Sequence, residues 1–184
     1  MAAYLIDTNV MLAASAKYDP LSRLSTEAEP QEDELRSLVF NWLYRFEKSE
    51  DSIVLDEEML IRDEYERNMP FNCYMQAQEY GLQVLQLKHD QGMVEYVPLD
   101  ILVGNGERIA FLPTELSTIV TDREDRKWVA ASKSAFTLLE MTCPIVYGAE
   151  SDWYHIEKAL IPHGIIFCRL LPDDWYISRH GGGR

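Results

Sequence analysis

The chain has 184 residues, enough for one domain with a substantial buried core. Its 47% apolar and 11% aromatic content excludes wholesale disorder, and no apolar run nears the roughly 18 residues of a membrane span. Thirty-one acidic against seventeen basic residues leave a formal charge of −14, which opposes long-range attraction to a phosphate backbone, so that nucleic-acid contact depends on bound cations or local basic clusters. The opening residues lack a secretion-signal layout. Cys73, Cys143 and Cys168 are odd in number, widely spaced and form no CxxC pair. A cytoplasmic protein with reduced thiols is the expectation.

Residues 2–7, AAYLID, are a short apolar run ending in an acid, which predicts a buried first strand. TNVMLAASA follows as a helix that Thr8 or Asn9 can cap. Residues 17–33, with Pro20 and Pro30, read as a loop. From 32 to 48, Leu35, Leu38, Val39, Trp42, Leu43 and Phe46 recur at helical spacing, and the Trp42–Phe46 surface suits the core or a dimer contact. SIVLD is a second strand, and a helix over 57–69 is stopped by Pro70. A helix over 73–87 and a strand MVEYVPL follow. Residues 98–120 show no clear pattern. TDREDRKWVAASKSAF is a helix with its entry turn, residues 144–147 a strand, ESDWYHIEKAL a helix and GIIFCRL the last strand. Alternating strands and helices predict an α/β fold with a parallel sheet, in which ligands bind outside the carboxyl ends of the strands.

Most of the 31 acids must be solvated, so the informative ones sit where a surface charge should not. Asp7 ends a buried strand, where a carboxylate is costly unless it is paired, capping or metal-bound. Glu64 shares a helix face with Leu60 and Ile61, although Arg67 at i+3 offers a plain ion pair. Asp125 precedes Trp128 and Val129 at i+3 and i+4, which puts it on a packed face, with Asp122 one turn earlier as the N-cap. Of Glu150 and Asp152, one caps the following helix and the other is free for metal. Carboxylates alone suit Mg²⁺ or Mn²⁺ rather than zinc. The four histidines show no ligand spacing, and there is no P-loop, GxGxxG or GxSxG.

The order LIDTNV, IRDEYERNM, DREDRKWVAAS and ESDWYHIEKAL resembles a PIN domain over about residues 3–171. A single PIN-like domain is expected over residues 1–175, and the tail over 176–184, ending in HGGGR, reads as flexible. The resemblance implies a three-layer α/β/α sandwich with a central parallel sheet ordered 3-2-1-4-5, and Mg²⁺- or Mn²⁺-dependent ribonuclease activity. Asp7, Glu64 and Asp125 match the first three family acids, with Thr8, Asn9 and Asp122 supporting them. The fourth corner departs from the pattern: Glu150 stands where the family motif has its first aspartate, Asp152 is second, and Gly148 and Ala149 replace the usual Thr or Ser.

In this reading Asp7, Glu64, Asp125, Glu150 and Asp152 hold cations that activate water for in-line attack on phosphate. Arg62, Arg123, Arg126 and Lys127 are the candidate phosphate contacts. The implied partners are single-stranded RNA, an antitoxin or another protein, and a second copy of the chain, with no membrane. The alternative is a catalytically weak or inert PIN-like binding module. A phosphatase would want a second aspartate where Asn9 stands, and a receiver domain a late-strand lysine that IVYG lacks.

Overall fold

The computed structural model describes residues 1–72, 77–104 and 106–180, with the backbone alone for 179 and 180. The chain opens with β1 (Ala3–Ile6), α1 (Thr8–Tyr18), the short α2 (Leu24–Glu27), α3 (Asp33–Lys48), β2 (Ser52–Asp56) and α4 (Leu60–Asn68). It continues through α5 (Tyr80–Asp90), β3 (Val94–Val97), β4 (Ile101–Gly104), β5 (Glu107–Ala110), α6 (Thr114–Ser117) and α7 (Arg126–Leu139). The last elements are β6 (Ile145–Tyr147), α8 (Ser151–Leu160), β7 (Phe167–Arg169) and α9 (Asp173–His180).

Five strands form a parallel sheet in the order β3-β2-β1-β6-β7. The central strands read as near-continuous apolar runs, as strands buried on both faces must. Leu5, Ile6, Ile53, Val54, Ile145 and Val146 are fully buried. The expected order 3-2-1-4-5 is corrected by a hairpin: β4 and β5 pair antiparallel with each other outside the sheet, so the strands beyond β1 are β6 and β7. Leu102 and Val103 are exposed there, and the two short strands show no alternation of buried and exposed positions.

Helix α1 is buried along most of its length, with Val10, Met11, Ala13 and Ala14 out of solvent, and it packs on α3 and α5. Close approach to α5 depends on Gly81, where a Cβ would lie 2.8 Å from Cβ of Met11. On α3 the Trp42 and Phe46 rings stack at 5.6 Å and Tyr4 of β1 meets both edge-on, so this surface packs inward.

Several expected boundaries shift. Helix α4 begins at Leu60 rather than Glu57, because Asp56 at the end of β2 caps it through Leu60 N at 2.7 Å and Ile61 N at 2.8 Å. The helix expected from Cys73 begins at Tyr80, after the bridge between Asn72 and Ala77, and its residues 73–76 lie outside the described residues. The tail expected from residue 176 is helical to His180. Tyr176 is fully buried there, its hydroxyl donating to Gly148 O at 2.5 Å, because its aromatic ring packs beside Tyr147 and Trp175. Residues 181–184 of that tail lie outside the described residues. Cys143 and Cys168 are free thiols.

Candidate acidic site

Asp7 leaves β1 at its carboxyl end, next to β6, with its backbone N donating to Val146 O at 2.9 Å. Its carboxylate caps α1, Oδ1 accepting from Asn9 N at 2.9 Å, so Asp7 is the cap rather than Thr8 or Asn9. Oδ2 accepts from the Trp153 indole of α8 at 3.0 Å. At 4% exposure, burial raises its pKa to about 7, with Glu150 and Glu64 pushing the same way and Trp153 and Asn9 opposing.

Glu64 reaches the same place from α4. Its carboxylate accepts the Thr8 hydroxyl and forms an ion pair with Lys127. The alternative partner Arg67 faces Glu124 instead, at 3.2 Å. Glu150 is the N-cap of α8, accepting from Asp152 N at 3.1 Å, and its other oxygen accepts from Asn9 Nδ2 at 2.7 Å. The open choice at that corner is thereby decided: Glu150 caps and Asp152 does not. Burial again raises the Glu150 pKa.

Asp125 sits at the N-cap position of α7 but makes no capping bond with its side chain. Asp122, expected to cap this helix, instead accepts from Glu124 N at 2.8 Å within the preceding turn, because α7 begins only at Arg126. Burial, Asp7, Asp122 and Glu150 together push Asp125 up to about 8, against the pull of Lys127. A cleft of about 160 Å³ is lined by Asp122, Asp125, Asp152 and His155, which places Asp152 at the rim of the cluster.

Four segments distant in sequence therefore bring Glu64, Asp125 and Glu150 within electrostatic reach of Asp7. Among the described residues, however, no three or more His, Cys, Asp or Glu groups form a ready metal-ligating set. The reason is visible in the bonds: Asp7 and Glu64 turn their oxygens to Asn9, Trp153, Thr8 and Lys127. In kind and charge the donors still fit a hard divalent cation. Lys127 pairs with Glu64 and lowers the pKa of Asp125, and Asp125 keeps a carboxylate that caps nothing.

The expected phosphate contacts fare unevenly. Arg62 pairs with Glu66 at 2.8 Å, and Arg126 donates to Val120 O and Ser117 O, so both are held by the fold. Lys127 is buried against Glu64. Arg123 is exposed and makes no ion pair among the described residues.

The supporting residues that sequence reading passed over are aromatic. Trp153 holds Asp7, and Tyr65 donates its hydroxyl to Ile6 O beneath it. Neither role is legible in the local sequence, since their polar atoms find partners far away along the chain. No family model, no curated protein and no solved structure matches the chain.

Proposed function

We propose that the chain is a divalent-metal-dependent ribonuclease with a PIN-like, three-layer domain, hydrolysing phosphodiester bonds at the acidic site. The observation that carries this reading is the convergence of Asp7, Glu64, Asp125 and Glu150 at the carboxyl ends of β1 and β6. That edge is where open α/β sheets bind ligands. Mg²⁺ or Mn²⁺ would be held by oxygens from among Asp7, Glu64, Asp125, Glu150 and Asp152. Bound there, the cation supplies an activated water and a positive charge against the phosphate oxygens. Asn9 keeps Glu150 aligned, Trp153 keeps Asp7 aligned, and exposed Arg123 is the side chain free to meet the substrate backbone. Single-stranded RNA as substrate and an antitoxin as partner rest on the family resemblance.

The test uses the full chain stripped of metal and supplied with Mg²⁺ or Mn²⁺ on single-stranded RNA and DNA. RNA cleavage that needs the metal, and that falls roughly 100-fold or more in Asp125→Asn, is the expected result. Cleavage that Asp125→Asn and Asp7→Asn leave unchanged would assign the activity to a contaminant.

One observation favours a second reading, a PIN-like binding module with little or no turnover. The Lys127 ammonium and the Trp153 indole already satisfy two of the four acids. RNA binding without cleavage, at saturating Mn²⁺, would select that reading.

A further inference from the structure

The β4–β5 hairpin stands outside the central sheet and rests on α7. Phe111 N donates to Asp100 O at 2.7 Å, so the ladder between the two strands starts one pair before Ile101 and Ala110. Side chains alternate across such a ladder, which sets Leu102 on the same face as Asp100 and Phe111. Between that face and α7 lies a groove of about 390 Å³, whose lining includes Asp100, Phe111, Lys133 and Leu138. Leu102, Phe111 and Leu138 are 51%, 44% and 57% exposed. A two-stranded hairpin is marginal in water without an apolar cover, and open strand edges beside exposed apolar side chains invite pairing with another chain.

Charge identifies the cover. Asp100 on the hairpin and Lys133 on α7 face the groove from its two walls, both exposed and neither in an ion pair among the described residues. A chain of net charge −14 repels its own copies over most of its surface. This groove, with one acid against one base, does not, whereas a groove made for a basic partner would be rimmed by acids alone. We infer that the β4–β5 and α7 groove is a contact between two copies of this chain. Leu102, Phe111 and Leu138 meet their counterparts across a two-fold axis, and Asp100 of each copy pairs with Lys133 of the other, as a self-complementary contact requires. The Trp42–Phe46 surface, packed inward against Tyr4, takes no part.

Sedimentation equilibrium of the full chain over roughly 1–100 µM tests this, with a dimer of micromolar Kd expected for the wild type. Leu138→Glu, checked for folding by circular dichroism, is expected to weaken association about tenfold or more. Asp100→Lys and Lys133→Asp each set like charges together across the axis and are expected to be monomeric when alone. Mixed in equal amounts, the two restore both opposite-charge pairs and are expected to form a mixed dimer, an outcome that misfolding of either variant cannot produce. A wild type that stays monomeric at the top of that range overturns the inference, whether or not another protein seats in the groove. A wild-type dimer that Leu138→Glu leaves untouched overturns it as well, and so does a mixture of the two charge variants that stays monomeric.

Discussion

The indole of Trp153 donates to Oδ2 of Asp7 at 3.0 Å, joining residues 146 positions apart in the chain. Both are almost wholly buried, so the bond is made in a setting where an unpaired carboxylate oxygen would be costly. It ties the carboxyl end of β1 to the first turn of α8, where Glu150 also sits.

Trp153→Phe keeps the ring packing in part and deletes the donor. Loss of a bond to a charged acceptor plus the smaller ring gives an expected cost of roughly 2–4 kcal/mol. Urea unfolding near neutral-to-alkaline pH measures it. The cost should shrink below about pH 6, because Asp7, with a folded pKa near 7, is then largely protonated. A loss under about 1 kcal/mol at both pH values would remove the bond from the account of how Asp7 is held.

Asp125 offers a gain of stability instead. Its pKa is raised from 3.8 to about 8, so between those values the folded state binds more protons than the unfolded state. Stability of the metal-free protein therefore falls as pH rises through that window and levels off above it, with Asp7 adding to the slope up to about 7. Asp125→Asn removes the group without losing a helix cap, since none is made. An increase of about 1–3 kcal/mol at alkaline pH, vanishing near pH 4, is expected from thermal melts of metal-free protein. A variant equally or less stable at alkaline pH contradicts the burial penalty.

Asp56 shows how the fold delivers Glu64. It is fully buried at the end of β2, and both its oxygens cap α4, the helix that carries Glu64 and Tyr65. Asp56→Ala leaves two buried backbone donors unpaired and should cost about 2–3 kcal/mol. Asp56→Asn retains one acceptor and should fall between. Hydrogen exchange at Leu60 and Ile61 reports the frayed turn directly, and unchanged protection there would count against this role.

Gly81 sets two opposing effects against each other. Alanine inside a helix gains about 0.5–1 kcal/mol over glycine. The new methyl would lie 2.8 Å from Cβ of Met11 and 3.1 Å from its carbonyl oxygen, neither of them a flexible side-chain end. Overpacking of this kind costs about 1–3 kcal/mol, so the steric term wins and Gly81→Ala is expected to be net destabilising. Denaturant titration decides the sign, and a more stable Gly81→Ala would show that α1 and α5 can separate freely.

The acids were legible because each breaks a local pattern: Asp7 ends an apolar strand, and Asp125 and Glu64 share faces with Trp128 and Ile61. The capping roles were less so. Helix α7 was expected one turn early, from Asp122, because an acid before a helix suggests a cap whether it caps the helix or the turn before it. Helix α4 was also placed early, since its cap comes from Asp56, four residues before Leu60, across a left-handed Met59. The β4–β5 hairpin escaped because short strands exposed on much of their surface carry no alternation to read.

Sequence alone determined the α/β class, the buried strands and the five acids with chemistry to explain, because burial periodicity and a misplaced charge are local properties. Tertiary structure alone decided the partners: Trp153 for Asp7, Lys127 for Glu64, Asn9 for Glu150 and no cap for Asp125. Those partnerships depend on which helix end meets which strand end once the sheet closes. No spacing within one segment encodes that distance, and it is what sets the buried Lys127 ammonium against Glu64 from another helix.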